Sequence, residues 1–200
     1  MRDFEGALFW LKDSMVVNPC YKASEPALGL SLNLDASALK CYMADTGLLV
    51  SHSFSENKLA ADDIHRRLLF ERLEFNEGMI VENVVAQIIV ASGRPLFFFS
   101  NYSKSSSDDC MEIDFLLAKS KIGSHRNLFP IEVKSGKNYT LKSLEKFCRK
   151  YSRQLATPYL LHTGEWREQN GVVFLPFYLA PLLCSPEWDH QAPCPTSKSP

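Results

Sequence analysis

Met111-Glu112-Ile113-Asp114-Phe115-Leu116-Leu117 and, after a loop, Phe129-Pro130-Ile131-Glu132-Val133-Lys134-Ser135 are the two stretches on which the fold turns. Both alternate apolar and charged residues. In an extended strand successive side chains point to opposite faces, so Ile113, Phe115 and Leu117 would share a core face while Glu112 and Asp114 share the other. In the second run Ile131 and Val133 would pack inward, leaving Glu132 and Lys134 on the opposite side about 6 to 7 Å apart. If the runs pair as neighbours, about 4.8 Å apart, the Asp114 and Glu132 carboxylates come within reach of one hard divalent cation. Lys134 would stand beside it.

Such a trio has a chemical use. A metal held by two carboxylates and the backbone carbonyl of Val133 lowers the pKa of bound water and neutralises charge building on a phosphate. The Lys134 ammonium can orient the attacking water or stabilise the extra negative charge of the transition state. A plainer reading of the same alternation stays open: a half-buried strand whose charged face is merely solvated.

The chain has 200 residues, 46% of them hydrophobic, enough for one substantial core with a small appendage. It contains no stretch of about 18 uncharged apolar residues and no basic region followed by an apolar one at its start, so neither a membrane span nor a signal peptide is expected. None of Cys20, Cys41, Cys110, Cys148, Cys184 and Cys194 forms a C-x-x-C pair, which argues against a zinc site and for reduced thiols in the cytoplasm. The five histidines show no spacing that suggests a ligand set.

The net charge of -1 hides an uneven distribution. Between residues 119 and 153 stand Lys119, Lys121, Arg126, Lys134, Lys137, Lys142, Lys146, Arg149, Lys150 and Arg153 against only Glu132 and Glu145, an excess of eight positive charges. Clustered Lys and Arg around the candidate site are the electrostatic footprint of nucleic-acid binding. The alternative is an ordinary surface helix, with the bases on one side and Leu141, Leu144, Cys148, Tyr151 and Leu155 on the other.

Further elements follow from periodicity. Lys40 to Leu49 reads as a short strand or turn feeding a helix, with Asp45 and Thr46 as capping groups rather than ligands. Leu59 to Leu73 predicts a surface helix, broken at Glu77-Gly78. Met79 to Ala91 carries an apolar stripe broad enough to be buried against a sheet. Leu96 to Ser100 predicts the first central strand, Asn101 to Asp109 a hairpin loop, and 119–127 a basic loop that includes His125. Thr157 to His162 and Val172 to Tyr178 predict two more strands, the last an edge interrupted by Pro176. Trp10 is expected in the core, and Gln154 late in the Lys-rich helix as a surface amide or a phosphate contact. Strands, a helix and a parallel return make an α/β domain.

The Asp…Glu-x-Lys pattern resembles that of the PD-(D/E)XK nuclease superfamily. More closely, the chain resembles the C-terminal domain of unknown function found on many archaeal and bacterial AAA-type ATPases. The matching blocks run in order: Lys40-Cys41-Tyr42-Met43-Ala44-Asp45-Thr46-Gly47-Leu48-Leu49, Gly78-Met79-Ile80-Val81-Glu82-Asn83-Val84-Val85, Glu112-Ile113-Asp114-Phe115 and Ile131-Glu132-Val133-Lys134-Ser135. Weaker ones lie at Ser143-Leu144, Phe147 and Phe174-Leu175-Pro176-Phe177-Tyr178.

The resemblance implies a restriction-endonuclease-like mixed central sheet flanked by helices over 40–183, preceded at 1–39 by the remnant of a winged-helix-like segment and linker. Residues 184–200, rich in Pro, Ser and Cys, are expected to be disordered. It also implies Mg²⁺ or Mn²⁺ as cofactor, Asp114, Glu132 and Lys134 as catalytic residues, and Glu82 as an auxiliary ligand. Glu82 has a structural alternative: a carboxylate favouring the positive end of a helix dipole, or one that with Asn83 ties down a neighbouring loop. No G-x-x-x-x-G-K-[ST] loop occurs, so no ATP site of that type is expected here, and an ATPase domain or subunit is expected as partner. Two function classes follow: a metal-dependent phosphodiesterase acting on nucleic acid, and a non-catalytic module that binds nucleic acid or protein and regulates an ATPase.

Overall fold

The computed structural model describes residues 2–54, 77–102, 109–118 and 126–185. The helix expected over Leu59–Leu73, Lys119, Lys121, His125, Trp188 and the tail from 186 onward lie outside the described residues.

The chain opens with α1 (Arg2–Asp13), β1 (Val17–Ala23), a short 3-10 turn at Leu30–Leu32, β2 (Leu34–Met43) and α2 (Thr46–Phe54). Then come α3 (Glu77–Ala91), β3 (Leu96–Asn101), β4 (Met111–Ile113), β5 (Phe115–Ala118) and β6 (Leu128–Lys134). The last part holds α4 (Lys142–Lys150), β7 (Tyr159–His162), β8 (Arg167–Gln169), β9 (Val172–Pro176) and a 3-10 helix at Phe177–Cys184. Among the described residues no helix is long and apolar enough to cross a membrane.

In place of one central sheet there are two mixed sheets, ordered β2-β1-β3-β4 and β5-β6-β7-β9-β8. They join through the chain itself, because Asp114 separates β4, which pairs with β3, from β5, which pairs antiparallel with β6. The segment β6-α4-β7 returns in parallel, as the order strand, helix, strand predicts. The two sheets share a core on each face. On one, Val85, Ala86 and Ile89 of α3 pack with Phe98, Phe115, Ile131, Leu161 and Leu175. On the other, Leu144 and Phe147 of α4 pack with Phe99, Ile113, Leu116, Leu160 and Phe174.

Several expectations change. Ile113 belongs to the α4-side core and Phe115 with Leu117 to the α3 side, so strict alternation slips where the strand breaks at Asp114. The boundary expected at 39/40 falls inside β2, and β1 pairs with β2 on one side and β3 on the other, so residues 17–23 and 34–39 are part of the first sheet. Trp10 is 69% exposed rather than in the core, on a helix that packs along β1. Glu77-Gly78 forms the start of α3, and Val84 faces outward.

At the other end of the chain, α4 stops at Lys150, leaving Arg153 and Gln154 in the turn beyond it. The Gln154 carbonyl accepts the N–H groups of Asn127 and Leu128. β9 is interior, not an edge. A strand absent from the sequence reading, β8, covers it through a two-residue Asn170-Gly171 turn in which both residues have positive φ. Asp45, as expected, caps α2: its Oδ1 accepts the Leu48 N–H at 2.8 Å.

Candidate active site at the junction of the two sheets

The break in the fifth strand sets the site. Phe115 is in register with Ile131, so one step further along the ladder Asp114 comes opposite Glu132. Asp114 is buried, and its Oδ2 accepts the Val133 N–H at 2.8 Å, a side-chain replacement for the ladder bond the break removes. Residues of an antiparallel pair exchange both backbone bonds, so the N–H and C=O of one residue point the same way. The Val133 carbonyl therefore leaves the same edge of β6 as its N–H. Glu132 is 4% exposed, and its Oε2 lies 2.7 Å from Lys134 Nζ. Glu112, Asp114, Glu132 and Lys134 line one open cleft of about 370 Å³, closed on its far side by Tyr139, Thr140 and Ser143.

Burial dominates the electrostatics. It raises Glu132 from the usual carboxylate range to about 7, helped by the Asp114 charge and opposed by Lys134. Asp114 is pushed up by burial too, against the pull of Lys134, the Val133 N–H and Lys40. Burial works against the charge of Lys134, but the Glu132 carboxylate more than offsets it and holds the ammonium protonated. A buried acid whose pKa is raised to about 7 beside a second buried acid is a group suited to acid–base work near neutral pH.

Glu82 arrives from α3. Burial and the Asp114 charge raise its pKa, and its Oε2 accepts the Tyr42 hydroxyl at 3.2 Å. Among the described residues no three acidic, histidine or cysteine side chains close around a single point. The neighbouring Asn83 does the tying-down: its Oδ1 accepts the Met43 N–H and its Nδ2 donates to the Met43 carbonyl and Thr46 Oγ1, clamping the end of β2 to α2.

The basic residues are placed differently. Lys137, Lys142, Arg149, Lys150, Arg126 and Arg153 are exposed and Lys146 is half-buried; none of them lines the cleft. Lys150 pairs with Asp109 at 2.6 Å. What α4 offers the cleft is its N-terminal end, where Ser143 of the first turn and Thr140 form the wall. Leu141 at the cap position provides no side-chain acceptor, so no side chain of the cap offsets the positive end of the helix dipole beside this wall.

Residues beyond those picked from the sequence complete the site. Lys40 Nζ pairs with Glu112 Oε1 at 2.5 Å, lies 5.1 Å from the Phe98 ring centroid, and adds positive potential at Asp114 and Glu82. Tyr102 donates to the other Glu112 oxygen at 2.6 Å. Tyr139 closes the cleft. One signal was present in the sequence: Glu112 lies two residues from Asp114, and Lys40 and Tyr42 have the same two-residue spacing on β2.

Comparison with known proteins gives a family but no function. No curated protein and no solved structure matches the chain. The model of a domain of unknown function, DUF4143, commonly found after AAA-type ATPase domains, matches residues 77–179, a span that includes Glu82, Asp114, Glu132, Lys134 and all of α4. The match covers more than half of the chain, which therefore belongs to the DUF4143 family.

Proposed function

We propose that the cleft at the sheet junction is the active site of a metal-dependent phosphodiesterase acting on nucleic acid, a nuclease-like module of the PD-(D/E)XK kind. The observation that carries this reading is the meeting of Asp114 and Glu132 across paired strands, with Lys134 2.7 Å from Glu132 at one open cleft.

The donor set fits a hard cation. Two carboxylates and a backbone carbonyl are oxygen ligands of the type Mg²⁺ or Mn²⁺ takes, and Glu132, whose pKa is raised by burial first and by the Asp114 charge second, would be held ionised by positive charge between the acids. Asp114, Glu132 and the Val133 carbonyl would hold the ion, with Glu82 as an auxiliary ligand. When bound, the ion supplies an acidified water and neutralises charge on the phosphate. Lys134, freed from Glu132 to the extent that the acid is otherwise engaged, orients a water or meets the charge building on phosphate oxygens. The N-terminal end of α4 favours the incoming anion. The exposed bases of α4, with Lys119, Lys121, Arg126, Lys137 and Arg153, supply a salt-sensitive, sequence-independent attraction for the polyanion.

A second reading keeps one observation of its own. The cleft charges are already paired within the protein, Lys134 with Glu132, Lys40 with Glu112 and Tyr42 with Glu82, as in a structural network. Under that reading the domain binds nucleic acid or protein without hydrolysis and regulates an ATPase domain or subunit.

Labelled single- and double-stranded DNA and RNA, incubated with Mg²⁺, Mn²⁺ or EDTA, separate the two. The expected result is cleavage with either metal, none with EDTA, and loss of activity in Glu132→Gln and Lys134→Ala proteins that still fold. Intact substrates throughout, with both metals and the unmutated protein, would overturn the hydrolase in favour of the regulatory module.

A further inference from the structure

Beside the cleft lies a second group of side chains that the proposed chemistry does not use. Tyr139, which closes the cleft, is joined to His162 and Arg167. Arg167 Nη2 donates to the Tyr139 hydroxyl oxygen at 3.1 Å, and the guanidinium carbon stands 4.0 Å above the centroid of the Phe174 ring. The Tyr139 hydroxyl is 3.4 Å from His162 Nδ1, which also accepts the Gly164 N–H at 3.3 Å. His162 Nε2 lies 3.1 Å from the Glu165 carbonyl, an acceptor, so the ring carries its proton there and Nδ1 is an acceptor shared by the Gly164 N–H and the Tyr139 hydroxyl. Donors therefore run in one direction, from Arg167 to Tyr139 to His162.

The strands explain the alignment. His162 of β7 is in register with Lys134 of β6, and Arg167 of β8 with Phe174 of β9, which also packs edge-on against the His162 ring at 5.7 Å. The turn after β7 sits close over the imidazole. A Cβ on Gly164 would lie 2.6 Å from His162 Cε1, so only glycine fits there without moving the ring. His162 itself is 3% exposed. Against this buried support Arg167 is exposed, and among the described residues its guanidinium meets a hydroxyl and an aromatic face but no carboxylate.

We propose that Arg167 is a phosphate-gripping residue of the cleft, positioned by Tyr139, His162 and Phe174, and that its ligand is a phosphate of a nucleic-acid strand flanking the one presented to Glu132 and Lys134. The inference rests on the nucleic-acid reading of the cleft and names a contact that reading lacks. A guanidinium whose plane is fixed by stacking and by one hydrogen bond has lost little freedom still to be lost on binding. Its remaining N–H groups form a fork that matches two phosphate oxygens, which a lysine cannot do. The surface bases of α4 attract a polyanion from any direction; Arg167 fixes where the strand lies relative to the cleft.

The test is equilibrium binding of a short labelled single-stranded oligonucleotide, followed by fluorescence anisotropy in EDTA over a range of salt concentrations, so that cleavage plays no part. Arg167→Ala is expected to weaken binding about tenfold and to make the log–log salt dependence shallower by about one. Arg167→Lys keeps the charge, so the salt slope should stay while affinity falls by a smaller factor. Tyr139→Phe should behave like Arg167→Lys, since it removes the positioning hydroxyl and no charge. Unchanged affinity and slope in Arg167→Ala, with the unmutated protein binding, would overturn the proposal; so would Arg167→Lys equal to the unmutated protein, or no binding by the unmutated protein at any salt. Cleavage assays on the same proteins keep the two readings apart. Binding that depends on Arg167 without metal-dependent cleavage removes the hydrolase and leaves the grip. Cleavage that is indifferent to Arg167 removes the grip and leaves the hydrolase.

Discussion

Two lysine–carboxylate pairs flank Asp114, and they are not alike. Lys134 with Glu132 and Lys40 with Glu112 have nearly the same separation, 2.7 and 2.5 Å, and both acids line the cleft. Yet the Glu132 side chain is 5% exposed and its pKa is raised to about 7, while the Glu112 side chain is 36% exposed and its pKa is lowered. Burial is the largest influence on both acids, and it favours the neutral form in each. At Glu112 the Lys40 ammonium and the Tyr102 hydroxyl overcome it; at Glu132 the neighbouring Asp114 adds to it. An ion pair seen in coordinates therefore does not say whether its acid is a fixed anion or a group poised to exchange a proton. Depth in the fold and the next charge along decide.

The largest expected effect separates the pairs by activity. Glu132→Gln should lower metal-dependent cleavage by more than about 100-fold, the loss expected for a group acting on the reacting atoms, and Glu112→Gln by less than about tenfold. Equal losses, measured as single-turnover rates on one substrate, would erase the distinction.

Next comes metal. At pH 8, above the value of about 7 to which Glu132 is raised, Mn²⁺ at about a hundred times its Kd should stabilise the fold by about 2.7 kcal/mol, or raise Tm by about 5 to 10 °C for a chain of this size. A differential scanning calorimeter should record the shift in the unmutated protein and in Glu112→Gln but not in Asp114→Asn.

The third prediction concerns stability without metal, and its sign differs between the two acids. Glu132 has a folded pKa near 7 against an ordinary 4.5, so its contribution is fully present below about pH 4.5 and is lost as pH rises through 7. Glu132→Gln should therefore leave stability unchanged near pH 4.5 and increase it at pH 8, by an amount on the order of 1 to 3 kcal/mol. Glu112 is the reverse case. Its lowered pKa stabilises the fold above the ordinary carboxylate value and that support is lost as pH falls, so Glu112→Gln should destabilise at pH 8, by less than about 1 kcal/mol because the pair is screened by solvent. Urea unfolding at the two pH values tests both signs; the same sign for both variants would break the comparison.

The smallest effects belong to the exposed bases. Lys142→Ala or Arg149→Ala, on α4 outside the cleft, should weaken oligonucleotide binding only a few-fold and reduce the salt slope by about 0.9 each, with cleavage at saturating substrate unchanged.

Much of the site was legible before any coordinates. The alternation in two short runs marked them as strands, because side-chain period is a local property that a few residues can specify, and the pairing of β5 with β6, on which the reading was conditional, brings Asp114 opposite Glu132. The cap at Asp45 and the buried stripe of α3 followed in the same way. The turn at Asn170-Gly171 was also written in the chain, and with it the strand that carries Arg167, although the periodicity of a three-residue exposed strand is too short to register.

Other features could not be read locally. The break at Asp114 shows only when β4 finds β3 and β5 finds β6, since a continuous strand and a broken one have the same alternation over so few residues. Trp10 looked like core by residue type and is exposed by position. Lys40 lies more than 70 residues before Glu112, and Arg167 lies 28 after Tyr139; nothing in either neighbourhood announces the partner. The amino-acid sequence by itself determined the period of the longer elements, their apolar runs, and the two-residue spacing that joins Glu132 to Lys134. Tertiary structure alone decided how deeply each charge is buried and which distant side chain meets it. Those two quantities set the free energy of every ionised group in the cleft, and they exist only once the chain has closed on itself.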